Sequence, residues 1–241
     1  MKFMKSFAAF AALAAVALSL PTSVAAQGAS KPTVAVLPYT NSALGKAQEE
    51  LAPLSKGIQD LLIGDLATNP AIRVIERDQI QKILDEQKLS KDNLTDPATA
   101  VKVGKLLGVH HMVTGTFVVD PKGNMRIVSK AFSVETSEIE FPNPVSKDAS
   151  VSGKVNNFLE LIEKMGTKLN AGMKLPEIPA RVGAAKAEAA KKVPYEAIAL
   201  YSKGLAAKDA GNKAEAVTLF SKALEKFPDF EKAKAEKAKL Q

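Results

Sequence analysis

Few residues of the types that usually carry out catalysis or bind metals occur in this chain of 241 residues. It has two histidines, His110 and His111, and no cysteine. Because the histidines are adjacent in a segment that favours strand, their side chains should face opposite sides of a sheet and would not easily chelate one ion. We interpret them as a strand-end pair that makes local hydrogen bonds, in preference to a metal site or a general base.

Carboxylates are plentiful, but their distribution is typical of solvated helix faces. Asp60, Asp65, Glu76 and Asp78 are examples, and most such charges only solvate a surface. The sequence also lacks a glycine-rich phosphate loop and a Gly-x-Ser-x-Gly nucleophile motif. We therefore predict a protein that is not an enzyme, with no catalytic residues, no cofactor and no metal. A hydrolytic enzyme is a third-ranked alternative, which a buried polar pocket around the histidines would favour.

Residues 1–26 have the pattern of a secretory signal peptide. Two lysines precede an apolar run over residues 7–20, and small residues lead up to Ala26. We predict cleavage between Ala26 and Gln27 and a periplasmic mature chain, associated with the outer membrane by contact. The apolar run is shorter than the roughly 20 residues that span a bilayer. Because there is no cysteine to carry acyl chains, we do not expect a lipoprotein.

Positive charge is concentrated toward the C-terminus. The formal net charge is +7, and residues 171–241 carry 14 Lys and Arg against 9 Asp and Glu, whereas residues 27–170 carry 17 of each. Such a segment suits acidic lipid headgroups or an acidic protein, and we expect no nucleic-acid partner for an exported chain. Interleaved Lys and Glu favour a solvated helix face, and a peripheral contact with the outer membrane is the functional alternative.

The apolar pattern of residues 31–173 alternates between strand and helix periods. Asp96 is a typical N-cap with Pro97 at the first helical position, and Gly108 is suited to close that helix. The pattern predicts strands at 33–37, 72–75, 110–119, 125–134 and around 139–141, and helices with apolar stripes that begin near residues 54, 80, 97 and 155. This order predicts an α/β domain, a mixed sheet flanked by helices.

Three residues of this domain, at two places in the chain, could have either a functional or a structural role. Glu76 and Arg77 follow a strand, where an ion pair or a cap would fix the strand-to-helix turn. Gly115 lies inside a strand pattern, where glycine marks a bulge or a close backbone approach. We interpret all three residues as structural.

Short motifs occur in a characteristic order at residues 34–39, 74–77, 104–108, 113–116 and 134–139. Through them, residues 31–172 resemble the curli secretion component CsgG and its relatives, which include the N-terminal domain of TolB and activators of peptidoglycan synthases. The resemblance implies a domain that assembles or regulates and is not known for catalysis. It does not extend to the curli pore, because one stretch of strand cannot supply both membrane hairpins and the domain's own sheet.

The C-terminal part follows a Pro/Ala/Lys-rich stretch, residues 174–193, which we predict to be a spacer. Residues 194–241 then show the spacing of a single tetratricopeptide repeat (TPR), an all-α helical hairpin. Its signature positions are Leu200, Gly204, Ala216, Phe220, Ala223 and Pro228.

A single repeat cannot bury its apolar face alone, so this hairpin needs a partner. The partner would be the chain's own N-terminal domain, another copy of the chain, or a different envelope protein. By resemblance to such repeats, Tyr201 and Lys208 would face a bound peptide, with a structural role for both as the alternative.

The export signal and the resemblance together imply a non-enzymatic envelope protein of a diderm bacterium. We expect it to assemble or scaffold at the outer membrane in secretion or surface-polymer biogenesis, through contacts with envelope proteins or copies of itself. The alternative is a regulator that activates an envelope enzyme such as a peptidoglycan synthase. Membership of a ring would favour the first, and a stoichiometric complex with a synthase would favour the second.

Overall fold

The structure, a computed structural model, describes residues 30–89, 94–140, 149–179 and 193–241. The predicted cleavage site at Ala26 and Gln27 and residues 180–192 of the predicted spacer lie outside these ranges. Lys31–Gln241 form one unit. Within the described ranges, every helix is too short or too polar to cross a bilayer.

A mixed sheet lies at the centre of this unit, as the sequence predicts. Its strands are β1 (Thr33–Val36), β2 (Thr40–Asn41), β3 (Arg73–Val74), β4 (His111–Val119), β5 (Asn124–Ser133) and β6 (Ala149–Lys154). The order is β3-β1-β4-β5-β6, and β2 pairs with β4 beside this path. β1 runs parallel to β3 and β4, whereas β4, β5 and β6 form an antiparallel meander. The sheet is therefore parallel on one side and antiparallel on the other.

Among the described residues, five α-helices accompany the sheet in the first part of the chain, and three more follow at residues 195–238. They are α1 (Lys46–Glu50), α2 (Leu54–Ala67), α3 (Arg77–Glu86), α4 (Pro97–Leu107), α5 (Phe158–Gly172), α6 (Tyr195–Asp209), α7 (Lys213–Lys226) and α8 (Glu231–Ala238). The signals predicted for α4 are confirmed: the Asp96 carboxylate accepts a hydrogen bond from the Thr99 backbone N–H at 2.8 Å, and Gly108 closes the helix with φ 64°. The α/β class with C-terminal helices is thus confirmed.

Strand β1 lies in the core, and helix α2 is hydrogen-bonded to it. Val34, Ala35 and Val36 are fully buried, as expected for a strand covered on both faces. Gln59 of α2 donates a hydrogen bond from Nε2 to the Val36 carbonyl at 2.8 Å. This bond satisfies a buried carbonyl next to the sheet and fixes α2 relative to β1.

Four elements differ from the sequence expectation. β2 and α1 were not predicted because they are two and five residues long and carry no periodic pattern. β6 was not predicted because its small and polar residues have low strand propensity, although Ala149 and Val151 are buried in alternation. The strand expected around residue 139 is a single bridge between Phe132 and Ile139, and Phe141 lies outside the described residues.

Gly115 is a point of close approach, as predicted for a glycine inside a strand. A Cβ there would lie 2.3 Å from the Val128 carbonyl oxygen and 2.3 Å from the Tyr39 ring. We expect Gly115→Ala to lower the free energy of unfolding by about 2 kcal/mol, because backbone of the paired strand β5 cannot move aside. Urea unfolding measures this loss. In the control Gly153→Ala, the new Cβ meets only the Leu161 side chain at 3.0 Å. Equal losses in both variants would contradict the explanation.

Candidate functional site

The C-terminal helices pack on α2 and α3 through an interface that contains many charged side chains. We call this surface the docking interface. Its charged members from α2 and α3 are Lys56, Asp60, Arg77 and Asp78, and those from α6 and α8 are Lys208, Asp209, Lys232 and Glu236. Because each side contributes both signs of charge, the two sides can pair across it.

In this interface, α2 and α6 approach each other closely at Gly57 and Ser202. A Cβ added at Gly57 would lie 1.9 Å from Ser202 Oγ and 3.0 Å from Ser202 Cβ. Ser202 is fully buried, and its hydroxyl donates to the Ile198 carbonyl within α6 at 2.8 Å. The missing side chain at Gly57 is therefore what allows the two helices to meet, without leaving the serine hydroxyl unsatisfied.

Asp209 at the end of α6 pairs with two cations of the α/β part. Arg77 Nη1 donates to both Asp209 oxygens, at 2.7 and 2.9 Å, and Lys56 Nζ lies 2.9 Å from Oδ2. The side chains of Arg77, Lys56 and Asp209 are only 3%, 9% and 12% exposed. Burial lowers the pKa of Arg77, but Asp209 and Asp78 raise it by more, so its pKa lies above the usual value. The guanidinium therefore stays charged.

Lys208 bridges α3 and α8. Its Nζ donates to Asp78 Oδ2 at 2.8 Å and to Glu236 Oε2 at 2.6 Å, and Lys239 donates to the other oxygen of Glu236 at 2.6 Å. Partial burial raises the pKa of Asp78, but the hydrogen bond from Lys208 and the charge of Arg77 outweigh it, so the pKa is lowered. The alternating charges link all three elements in one chain of ion pairs.

Tyr201 is the aromatic anchor of the docking interface. Its ring lies 4.9 Å from the Phe230 ring and 5.7 Å from the Phe220 ring, measured between centroids. Its hydroxyl donates to Asp60 Oδ2 at 2.8 Å, and Lys232 Nζ donates to the same oxygen at 2.7 Å. An apolar ring with a hydrogen-bonded tip is typical of residues that stabilise interfaces most.

The burial of Tyr201 predicts a pH dependence at alkaline pH. Burial, followed by the charge of Asp60, raises the pKa of Tyr201 well above its usual value of 10.0. Unfolded tyrosine loses its proton near pH 10 while folded Tyr201 keeps it, so stability is complete below pH 10 and falls as the pH rises further.

We expect Tyr201→Phe to make this fall shallower by about 1.4 kcal/mol per pH unit, the equivalent of one proton. Urea unfolding of both proteins between about pH 9 and 11.5 measures the two slopes. Tyr39, whose pKa burial also raises, is present in both proteins and serves as an internal reference. Identical slopes would show that Tyr201 is not buried in solution.

The structure places the predicted peptide-facing residues against the chain's own α/β part. Tyr201 contacts Asp60 of α2, and Lys208 contacts Asp78 of α3. Most signature positions of the repeat pack between α6 and α7, where a Cβ at Gly204 would lie 2.5 Å from the Phe220 ring. Ala216, Phe220 and Ala223 are fully buried, Leu200 is half-buried, and Pro228 is exposed beyond α7.

The histidines make separate local contacts. Thr33 N–H donates to His110 Nδ1 at 3.1 Å, and His111 Nδ1 lies 2.7 Å from Glu140 Oε2. A groove of about 350 Å³ lies beside Glu140, but neither histidine lines it. Among the described residues, no three His, Cys, Asp or Glu side chains cluster in a way that could hold a metal ion.

Arg77 has a structural role in the docking interface that the sequence did not indicate. A local ion pair or cap with Glu76 was expected, but Glu76, at the N-cap of α3, makes no side-chain capping bond. Arg77 instead reaches Asp209, 132 positions along the chain. The expected pairing with Glu76 is therefore corrected: Arg77 pairs with the adjacent Asp78 and with Asp209 of a distant helix, and residue spacing alone does not indicate the second partner.

Comparison with known proteins agrees with the first part of this fold. Residues 16–120 match the family described as curli production assembly/transport component CsgG. This segment contains β1 to β4 and α1 to α4, and the match confirms the resemblance predicted for the domain. No match was found among curated protein sequences.

Several solved structures align with part of this chain at low sequence identity and low TM-score. The LpoB C-terminal domain from Escherichia coli is 16% identical and aligns over 54% of this chain and 89% of that chain, with a TM-score of 0.34. The domain from Salmonella enterica is 14% identical, over 53% and 87% of the two chains, with a TM-score of 0.34. A lipoprotein from Neisseria meningitidis is 9% identical, over 51% and 79%, with a TM-score of 0.38.

Proposed function

We propose that this chain is a non-catalytic protein of the bacterial cell envelope that acts by binding other proteins. Two observations support this: residues 16–120 match a family of assembly and transport components, and residues 1–26 have the pattern of a secretory signal. The proposed process is secretion or surface-polymer biogenesis, with the mature chain in the periplasm or at the outer membrane.

The observation that carries the proposal is the pairing within the docking interface. Arg77, Asp209, Lys208 and Asp78 are the kinds of residues that could do chemistry in an open cleft, but here they neutralise one another across packed helices. Removal of one partner from such a buried pair leaves an uncompensated charge and is strongly destabilising. The interface thus has the composition of a protein–protein contact formed within one chain.

We further propose that the C-terminal helices stabilise the α/β part and present one joined surface to partners. In this arrangement, a peptide that reached Tyr201 would first have to displace α2, because the Tyr201 hydroxyl is bound to Asp60. The proposed boundaries at residues 173/174 and 193/194 then divide the sequence into the α/β domain, the spacer and the helical module, but the α/β domain and the helical module act together.

Crosslinking in intact cells tests this function. The full-length protein should capture envelope proteins of a secretion or polymer pathway, and the mature chain should begin at Gln27 by mass spectrometry. Asp209→Asn, which weakens the docking interface, should lose partners that bind the joined surface, whereas Lys222→Glu on exposed α7 should keep them. A stoichiometric complex with a peptidoglycan synthase or another envelope enzyme would favour the regulator alternative. Recovery of only cytosolic partners would contradict both.

A further inference from the structure

A groove of about 680 Å³ runs along the outer face of α4. Leu106 lies in it with 48% of its surface exposed, which is high for a leucine. Its lining residues are Pro97, Ala98, Val101, Lys102, Lys105, Leu106 and Ser137. The groove is therefore lined mainly by apolar residues, together with two lysines.

Two exposed residues of this groove, Lys105 and Leu106, belong to one of the family-like motifs. In the motif of residues 104–108, Gly104 lies against Val134, since a Cβ would come 2.5 Å from Val134 Cγ2, and Gly108 closes α4. Lys105 and Leu106, between them, face solvent. The side-chain ammonium groups of Lys102 and Lys105 form no hydrogen bond or ion pair with any described residue. Gly104 and Gly108 of the motif therefore serve the fold, whereas Lys105 and Leu106 line an open surface.

The complementary chemistry is present elsewhere on the same chain, at α1. Leu44, just before this helix, is 88% exposed, and α1 itself buries no residue. Glu49 and Glu50 are exposed, and their side-chain carboxylates have no hydrogen-bond or ion-pair partner among the described residues. Residues 44–50 thus offer an exposed leucine followed along the chain by two exposed carboxylates, and the groove offers an exposed leucine with two exposed ammonium groups.

We propose that the groove on α4 binds the segment of residues 44–50 of a second copy of this chain. Leu44 would pack on Leu106, while Glu49 and Glu50 would pair with Lys102 and Lys105. The contact joins two different surfaces, so each copy offers a free groove and a free segment, and the association continues head to tail. The inference deepens the proposed function by naming one partner, and it uses no residue of the docking interface.

Analytical ultracentrifugation of the mature full-length chain tests this contact. We expect the chain to self-associate as the protein concentration is raised to about 500 µM. High salt should weaken this association because it screens the charge pairs. The variants Lys102→Glu/Lys105→Glu and Glu49→Lys/Glu50→Lys each turn two attractive pairs into repulsive ones. Each should weaken self-association by at least about tenfold. All four side chains are exposed, so circular dichroism and urea unfolding should match the unsubstituted protein.

A mixing experiment separates this contact from a general charge effect. Neither double variant should associate alone, but an equimolar mixture should associate, because each groove then meets a segment of opposite charge. The control Lys203→Glu/Lys222→Glu, on exposed positions of α6 and α7, should associate normally. A monomeric unsubstituted chain, or a mixture that stays monomeric, would overturn the proposal. The proposal would also be overturned if the chain remained monomeric and bound phosphatidylglycerol vesicles through Lys102 and Lys105.

Discussion

Replacement of Asp209 by asparagine is expected to lower the free energy of unfolding by about 3 kcal/mol. The change keeps the shape of the side chain but removes the charge that Arg77 and Lys56 share. Loss of one partner from a buried ion pair costs about 3–5 kcal/mol, because an uncompensated charge stays buried. We expect the lower end of this range because Arg77 still contacts Asp78 and Lys56 still contacts Gln81. Urea unfolding at pH 7 measures the loss.

An exposed carboxylate provides the matched control. Glu225 lies on the outer side of α7, and Glu225→Gln makes the same chemical change in water. It should alter the free energy of unfolding by no more than about 0.5 kcal/mol. If Asp209→Asn is also within that limit, the pairing with Arg77 and Lys56 does not form in solution.

A second large effect is expected at Gly57. In Gly57→Ala, the new methyl group would lie 1.9 Å from Ser202 Oγ, so α2 and α6 would have to separate. The matched variant is Gly64→Ala, seven positions along the same helix, where the new methyl group meets only the flexible end of Lys232. Both changes gain the same helix propensity, which therefore cancels in the comparison. We expect Gly57→Ala to be less stable than Gly64→Ala by about 2 kcal/mol.

The same contact can be relieved from the other helix. In the double variant Gly57→Ala/Ser202→Gly, the new methyl group enters the space left by the serine side chain. Stability lost through the overlap between α2 and α6 should return, apart from the propensity cost of a glycine in α6, about 1 kcal/mol. A double variant that falls by the sum of both single changes would indicate that Gly57 and Ser202 do not touch. Urea unfolding of the four proteins gives these values.

Most of the α/β fold could be predicted because its signals are local. Apolar periodicity located α2, α3, α4 and α5, and Asp96, Pro97 and Gly108 marked the ends of α4. The turn at Asp120 indicated the hairpin of β4 and β5, where the Asp120 side chain accepts hydrogen bonds from the backbone N–H groups of Lys122 and Asn124. Short elements such as β2 and α1 have no such pattern, since the residues around them determine their conformation.

The docking interface could not be predicted, because its partners are distant in sequence and their residue types are ordinary. Asp60 reads as a solvated carboxylate of an amphipathic helix, but it binds Tyr201 and Lys232. Gly57 has no side chain to indicate a contact, but a Cβ there would overlap Ser202 of α6. The sequence did show that a single helical hairpin needs a partner. It left open which partner, and the structure shows the chain's own α2 and α3 in that place.

The central claim is that Arg77 and Asp209 hold the C-terminal helices on the α/β part, and a double-mutant cycle tests it most directly. Unfolding free energies of the unsubstituted chain, Arg77→Met, Asp209→Asn and the double variant give the interaction energy of the pair. We predict a coupling of about 2 kcal/mol, within the range for charged residues in contact. Losses that add within about 0.5 kcal/mol would contradict the claim, because residues that do not touch behave independently.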